Sequence, residues 1–251
     1  MITSDEYRMG VEALLYSWSC TDSSFPFLIL YTSQVSTRVL DRLRCFLRPL
    51  RMSERIKLKR VDAIPIPAYN ADPPEAHVTS WLNSAYTKLH IFGLKEYQKI
   101  VYIDADALIL TNIDELFDLD TNFAAAPDIF PPDRFNAGVL VVKPDYNVFQ
   151  ELLAKARAVK SYDGGDTGFL NLVFPDWFER DAISRLHFRY NAQRTMHWLV
   201  NSKNPGYWEA LKPLKILHFS SNPKPWEETK RIGELEMTWW TYYTKACIPW
   251  N

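Results

Sequence analysis

The sequence predicts an α/β fold, with a largely parallel sheet flanked by helices in one domain. Three observations lead there. Short apolar runs of strand length alternate with longer segments of helical periodicity. No internal repeat and no linker-like tract interrupts the 251 residues. A composition of 47% hydrophobic and 24% charged residues suits one well-buried core, and the chain is short for two independent ones.

In chain order, Phe27 to Tyr31 is an apolar run of strand length, and Thr32 to Ser36 offers a helix start. Val39, Leu40, Leu43, Phe46, Leu47 and Leu50 then recur at helical spacing, ending near Pro49. The residues from Ile56 to Ile64 read as a second strand, and a helix is predicted over Ser80 to Phe92, stopped by Gly93. Ile100 to Ile103 is a third strand that runs into Asp104-Ala105-Asp106. Val139 to Val142 and Leu214 to Phe219 are further strands, while Tyr146 to Ala158 and Gly168 to Val173 are predicted helices.

Composition excludes several classes. With 29 basic and 30 acidic residues, the net charge of -1 gives no global field for nucleic acid or an anionic membrane. Nine Trp, thirteen Tyr and fourteen Phe argue against disorder. The first residues lack a signal-peptide pattern, and the apolar runs are far below the roughly 20 residues of a membrane helix. Cys20, Cys45 and Cys247 form neither a disulfide framework nor a zinc cluster, and no Asn-x-Ser/Thr sequon occurs. The expectation is a cytoplasmic protein with no membrane and no nucleic-acid partner. The basic stretch from Arg38 to Arg60 reads as the wet face of a helix plus a charge-protected edge strand.

Chemistry concentrates where Ile103-Asp104-Ala105-Asp106 ends an apolar strand. If the chain is still extended there, both carboxylates point to one place. Two like charges that close need something positive between them, and oxygen ligands suit magnesium or manganese. Leu214 to His218 is a second strand ending in a metal-competent residue, followed by Ser220-Ser221-Asn222-Pro223-Lys224-Pro225-Trp226, a turn presenting one Lys. Two carboxylates, an imidazole and an ammonium are what a metal-bound diphosphate requires. Phe135-Asn136-Ala137-Gly138 and Asp163-Gly164-Gly165-Asp166 add an amide and two carboxylates, which ordinary turn chemistry also explains.

Taken in order, Tyr7, Thr87-Lys88-Leu89, Asp104-Ala105-Asp106, Asn112-Ile113-Asp114-Glu115-Leu116-Phe117, Ala126-Pro127-Asp128, Phe135-Asn136-Ala137-Gly138, Asp163-Gly164-Gly165-Asp166, Tyr190-Asn191, His218-Phe219 and Lys224-Pro225-Trp226 resemble the glycogenin-like branch of glycosyltransferase family 8. The resemblance runs from about residue 3 to Trp226. It implies a single GT-A domain, with a nucleotide-binding part over about residues 1–120, a sugar and acceptor part to about 226, and an aromatic segment beyond. By the same resemblance Asp104, Asp106 and His218 would bind manganese, or magnesium, bridging the diphosphate of a UDP-sugar. Ala105, Ser221 and Lys224 would lie at that nucleotide, with Thr3, Ser4 and Tyr7 at its uracil. Lys88, Asp128, Asn136, Ala137, Asp163, Asp166 and Thr167 would line the sugar pocket, and Asp163, Asp166 and Lys224 would take part in catalysis. The reaction implied is retaining hexosyl transfer from UDP-galactose or UDP-glucose.

Three departures from the family pattern bear on the uracil contacts, on donor choice and acceptor geometry, and on the acceptor itself. Only Met1 and Ile2 precede the segment where the family has a full strand, and Thr167 stands where the branch carries Gln. The position eight residues after Tyr190, where glycogenins place the Tyr they glucosylate, is Trp198, and the nearest downstream phenol is Tyr207. The expectation is therefore a separate glycan acceptor. In being compact and untargeted the chain is most similar to the cytoplasmic protist α-galactosyltransferases that extend the fucose-ended, hydroxyproline-linked glycan of Skp1. A self-glucosylating glycogenin is the alternative. More distant readings are a silent UDP-sugar binder and a HAD-type phosphohydrolase, whose motif has Thr or Val where Leu108 stands. Trp239, Trp240, Tyr242, Tyr243 and Trp250 could cap the core, line an acceptor groove or form a homodimer contact.

Overall fold

The computed structural model describes residues 1–47, 54–65, 85–131, 133–227 and 233–247. Its regular elements are α1 (Arg8–Ser19), β1 (Phe27–Tyr31), α2 (Thr37–Leu47), β2 (Ile56–Arg60), β3 (Ile100–Ile103), β4 (Ala107–Ile109), β5 (Phe123–Pro127), β6 (Phe135–Val142), α3 (Tyr146–Ala156), α4 (Asp166–Val173), β7 (Ala192–Gln193), α5 (Arg194–Val200), α6 (Pro205–Ala210), β8 (Ile216–His218) and α7 (Glu234–Cys247). They form two compact units, Met1–Arg60 with Ile103–Asp114 and Phe188–Asn251, and Val61–Tyr102 with Glu115–His187.

In the first unit, β1 and β2 pair in parallel from Phe27↔Ile56 to Tyr31↔Arg60. The strand expected to reach Ile64 stops at Arg60 because β1 offers no partner past Tyr31. Ile2 adds a one-residue parallel bridge to Tyr31, its N–H donating to the Leu30 carbonyl at 2.9 Å. On α2, Val39, Leu40 and Leu43 are buried while Arg38, Arg42 and Arg44 are exposed, so the described first part of the basic stretch is the wet side of an amphipathic helix. The predicted continuation of α2 toward Leu50 lies outside the described residues.

A second sheet of the same unit has the order β4-β8-β7, with β8 antiparallel to β4 and parallel to β7. Helix α1 packs on β4 and α7, and the Ile109 N–H donates to Ser17 Oγ at 2.9 Å. Every residue of α1 from Gly10 to Trp18 is buried, so no polar stripe marks it in the sequence. Its one charge in that run, Glu12, is 0% exposed and takes Arg8 at 2.8 Å and Arg42 at 2.5 Å. Trp239 of α7 is also 0% exposed and stacks on Tyr243 with ring centroids 5.1 Å apart, so core packing claims this part of the aromatic segment. Trp250 lies outside the described residues.

The second unit is built on the sheet β3-β6-β5, in which β5 and β6 are antiparallel with a register shift between Ala125 and Ala126. Its core is aromatic: Phe123 stacks on Phe174 at 4.5 Å, and Phe135 meets Trp177 edge-on at 5.4 Å. Strand β6 begins at Phe135, four residues earlier than predicted, because Phe135 and Asn136 pair with Pro127 and Ala126 of β5, and the buried Asn171 amide meets both backbone groups of Phe135 at 3.1 and 2.8 Å. Asp145 caps α3, accepting from the Asn147 N–H at 2.7 Å. The helix predicted before Gly93 is a 3-10 helix over Ala85–Gly93, and its predicted start, 80–84, lies outside the described residues.

Candidate functional site

The first unit assembles the acidic pair and the imidazole through sheet register. Ala107 pairs with His218, and the Phe219 N–H donates to the Asp106 carbonyl at 2.9 Å. The residue that ends β8 is thereby placed against the residue that precedes β4. The pair itself is not extended, as the sequence reading supposed. Asp104 to Asp106 form a turn between β3 and β4, closed by the Ala107 N–H on the Asp104 carbonyl at 3.3 Å, because the chain changes sheets here. The carboxylates converge through that turn. One ligand atom from each of Asp104, Asp106 and His218 lies within 4.8 Å of the others.

The imidazole is oriented from behind. His218 Nδ1 donates to Asn191 Oδ1 at 2.7 Å, which leaves the Nε2 lone pair facing Asp106 Oδ1 at 3.3 Å. Asp106 Oδ2 accepts from Lys224 Nζ at 2.6 Å, and that ammonium also donates to the Phe219 carbonyl at 2.9 Å. Burial alone would raise the Asp106 pKa, but the Lys224 ammonium, joined by the His218 ring whenever that ring is protonated, outweighs it and holds the carboxyl well below the usual carboxylate range. The donor set is two carboxylates and one imidazole nitrogen, with room left in a normal coordination shell for ligand oxygens. That set fits a hard or borderline divalent cation such as manganese or magnesium.

The surrounding residues are tightly packed. Tyr7 meets Trp226 edge-on, with centroids 5.8 Å apart. Its phenol pKa is raised, first by burial and then by the Asp106 and Asp104 charges. Thr3 accepts from Thr32 Oγ1 at 3.1 Å through its carbonyl, and Ser4 stands extended before the short 3-10 turn Asp5–Tyr7. Ala105 is buried beneath α1, where a Cβ on Gly10 would stand 2.5 Å from the Ala105 carbonyl oxygen and 2.8 Å from Trp226. Ser221 gives its carbonyl and hydroxyl to Arg194 at 2.7 and 2.8 Å.

The second unit holds the other predicted residues. Lys88, 4% exposed, donates to Asp166 Oδ2 at 2.5 Å and to the Ala137 carbonyl at 2.9 Å. Thr167 Oγ1 accepts from the Ala137 N–H at 3.1 Å, so both backbone groups of Ala137 are tied to side chains from other elements. Asn136 Oδ1 accepts from the Gly138 N–H at 2.9 Å. Asp163 closes the turn that starts α4, taking Ser161 Oγ at 2.7 Å, the Gly165 N–H at 2.8 Å and the Gly168 N–H at 2.9 Å. That cap is why α4 begins at Asp166, two residues before its predicted start. Asp128 accepts its neighbouring Ile129 N–H at 2.8 Å. Nearby, burial and then the Asp163 and Asp128 charges push the Tyr162 phenol up to about 12.

Comparison with known proteins decides the family. The glycosyl transferase family 8 model matches residues 1–230. The chain belongs to glycosyl transferase family 8. It is 35% identical to glycogenin-1 of Mus musculus over 99% of this chain and 75% of that one. Glycogenin of Neurospora crassa is 32% identical over 98% of this chain, which spans 34% of that protein's length. Inositol phosphorylceramide glucuronosyltransferase 1 of Arabidopsis thaliana is 29% identical over 100% of this chain and 44% of its own length. Among solved structures, the galactosyltransferase LgtC in complex with donor and acceptor sugar analogs superposes with a TM-score of 0.69 at 18% identity, covering 96% of this chain and 93% of that one. GlyE of Streptococcus pneumoniae in its apo form gives 0.66 at 23% identity, covering 96% and 58%. The fold is that of the GT-A glycosyltransferases, as the resemblance implied.

Within this family 8 chain, sequence reading named the metal-competent triad and Lys224 but gave no role to the groups that orient them. Asn191 was visible only as part of Tyr190-Asn191, and Gly10 only as one of eight glycines. Arg194 and Glu236 carry no local sign at all, since Arg and Glu normally read as surface residues. Among the described residues no helix is long and apolar enough to cross a membrane.

Proposed function

We propose that this chain is a metal-dependent, retaining glycosyltransferase that moves a hexose from a UDP-sugar to a separate acceptor glycan. The observation that carries the reading is the convergence of Asp104, Asp106 and His218 on one point, with Lys224 hydrogen-bonded to the same Asp106. Those three side chains would hold the cation, with manganese favoured and magnesium next. When bound, the cation supplies positive charge to the diphosphate oxygens of the donor.

The chain's own residues account for the rest. Asn191 keeps the His218 proton on Nδ1, so Nε2 stays available as a ligand. Lys224 is held ready as a charged donor at the site where the leaving diphosphate gains negative charge when the anomeric C–O bond breaks. Losing one such preorganised donor costs roughly 3 kcal/mol of transition-state stabilisation. Lys88 orients the Asp166 carboxylate through their ion pair, and Asp163 fixes the turn from which Asp166 projects. In this reading the Asp166 carboxylate favours the oxocarbenium-like sugar, with Lys88, Asp128, Asn136, Ala137 and Thr167 contacting the hexose. Thr3, Ser4 and Tyr7 take the uracil, and Ala105 and Ser221 border the diphosphate.

Galactose is the favoured hexose and glucose the next. The acceptor proposed is the fucose-ended, hydroxyproline-linked glycan of Skp1, in the cytoplasm, with the enzyme as a homodimer. The glycogenin relatives keep self-glucosylation as the alternative, with Tyr207, 41% exposed on α6, as the available phenol. Two assays test the reading. Manganese-dependent hydrolysis of UDP-galactose or UDP-glucose is expected, and hydrolysis of neither, in the presence of manganese, would overturn it. Incubation with labelled UDP-hexose and no acceptor should leave the protein unlabelled, whereas label on a tyrosine would establish self-glucosylation.

A further inference from the structure

Arg194 opens α5 and is 1% exposed. Its Nη1 donates to Glu236 Oε1 at 3.0 Å. Its Nη2 serves the other side, donating to the Ser221 carbonyl at 2.7 Å, Ser221 Oγ at 2.8 Å and the Pro223 carbonyl at 2.9 Å. The guanidinium carbon lies 4.2 Å from the Trp198 ring centroid and 5.4 Å from that of Phe219. Glu236 is itself fixed, 4% exposed and accepting the Gly233 N–H at 3.1 Å. One buried cation therefore ties α5 and the start of α7 to the segment between Phe219 and Lys224.

That segment delivers the Lys224 ammonium. Phe219 supplies one of its acceptors, and Asp106 the other. Arg194 grips the two residues 221 and 223 that lie between Phe219 and Lys224, and it covers the Phe219 ring. Burying an Arg–Glu pair is a poor device for stability, because desolvation offsets most of the attraction. A planar fork that reaches several backbone acceptors at once is a good device for fixing a loop. We propose that Arg194 is a positioning residue for Lys224, holding the 219–224 loop so that the ammonium meets a diphosphate bound at Asp104, Asp106 and His218. The inference rests on the donor-site reading above, and Arg194 acts only through the loop.

The test uses the full chain and four variants, Arg194→Met, Arg194→Lys, Lys224→Met and the Arg194→Met/Lys224→Met pair. UDP affinity in saturating manganese, manganese affinity without UDP, and thermal denaturation are read for each. Arg194→Met is expected to weaken UDP at least tenfold in the wild-type background and less than threefold beside Lys224→Met, with manganese affinity within twofold of wild type. Arg194→Lys should recover little, because an ammonium cannot span Ser221, Pro223 and Glu236 together. Equal losses in both backgrounds, or full recovery by Lys, would overturn the inference. If Arg194→Met does not fold, Glu236→Gln takes its place in the same cycle with the same expected coupling. Absence of manganese-dependent UDP binding in the wild type would instead bring down the donor-site reading, and this inference with it.

Discussion

His218 Nδ1 stands 2.7 Å from Asn191 Oδ1, and both residues are buried in the first unit. The hydrogen bond decides which imidazole nitrogen carries the proton. With Nδ1 donating, Nε2 presents its lone pair toward Asp106 and toward any cation beside it. Replacing Asn191 with Leu removes the acceptor and leaves a buried N–H without a partner. Manganese affinity should fall about 10- to 100-fold, as measured by manganese electron paramagnetic resonance titration. Unchanged affinity would show that Asn191 has no part in orienting the ligand.

Gly10 lies inside α1, where Ala would ordinarily stabilise by about 1 kcal/mol. Here the sign reverses, because the new Cβ would sit 2.5 Å from the Ala105 carbonyl oxygen. The obstacle is backbone and cannot swing aside. Gly10→Ala is expected to lower the melting temperature and to weaken manganese binding together, since Ala105 lies between the two aspartates. A stabilised variant in differential scanning calorimetry would contradict the close approach of α1 to that turn.

Asp106 gives a pH signature with a definite sign. Its folded pKa is depressed, so its contribution to stability is complete above the ordinary carboxylate range near 4 and is lost as pH falls below it. Urea unfolding in EDTA should show wild type more stable than Asp106→Asn at pH 7, with the gap shrinking below about pH 4. A gap that stays constant to pH 3 would mean that Lys224 and His218 do not favour the ionised form.

Asp163 is predicted to act on stability as well as on turnover. Asp163→Ala removes the carboxylate that caps α4 through the Gly165 and Gly168 N–H groups, and should cost about 1 kcal/mol in denaturant unfolding. Gly168 belongs to the same device, because a Cβ there would lie 2.2 Å from Asp163 Oδ1. Asp163→Asn keeps one acceptor oxygen and should fall between Ala and wild type. An Ala variant as stable as wild type would show that the cap is not used.

Much of the site was legible because its parts stand at the ends of apolar strands. Ile100 to Ile103 and Leu214 to His218 could each be recognised locally, and each ends on a residue with a chemical signal. Their meeting depends on the antiparallel register that pairs Ala107 with His218, which no local pattern reveals. The same holds for the turn at Asp104 to Asp106, where a sheet change replaces the expected pleat. Helix α1 escaped notice because burial on all sides leaves no period to read, and its Glu12 and Ser17 break the apolar run. Arg194 escaped because its burial is compensated by partners far along the chain, Ser221, Pro223 and Glu236.

Calorimetric titration of UDP into the wild-type chain, with manganese and then with EDTA, is the most direct measurement. Binding is expected with manganese, none measurable in EDTA, and a loss in Asp106→Asn even when the metal is present. UDP binding of equal strength with manganese and with EDTA would contradict a cation held by Asp104, Asp106 and His218 as the seat of the donor.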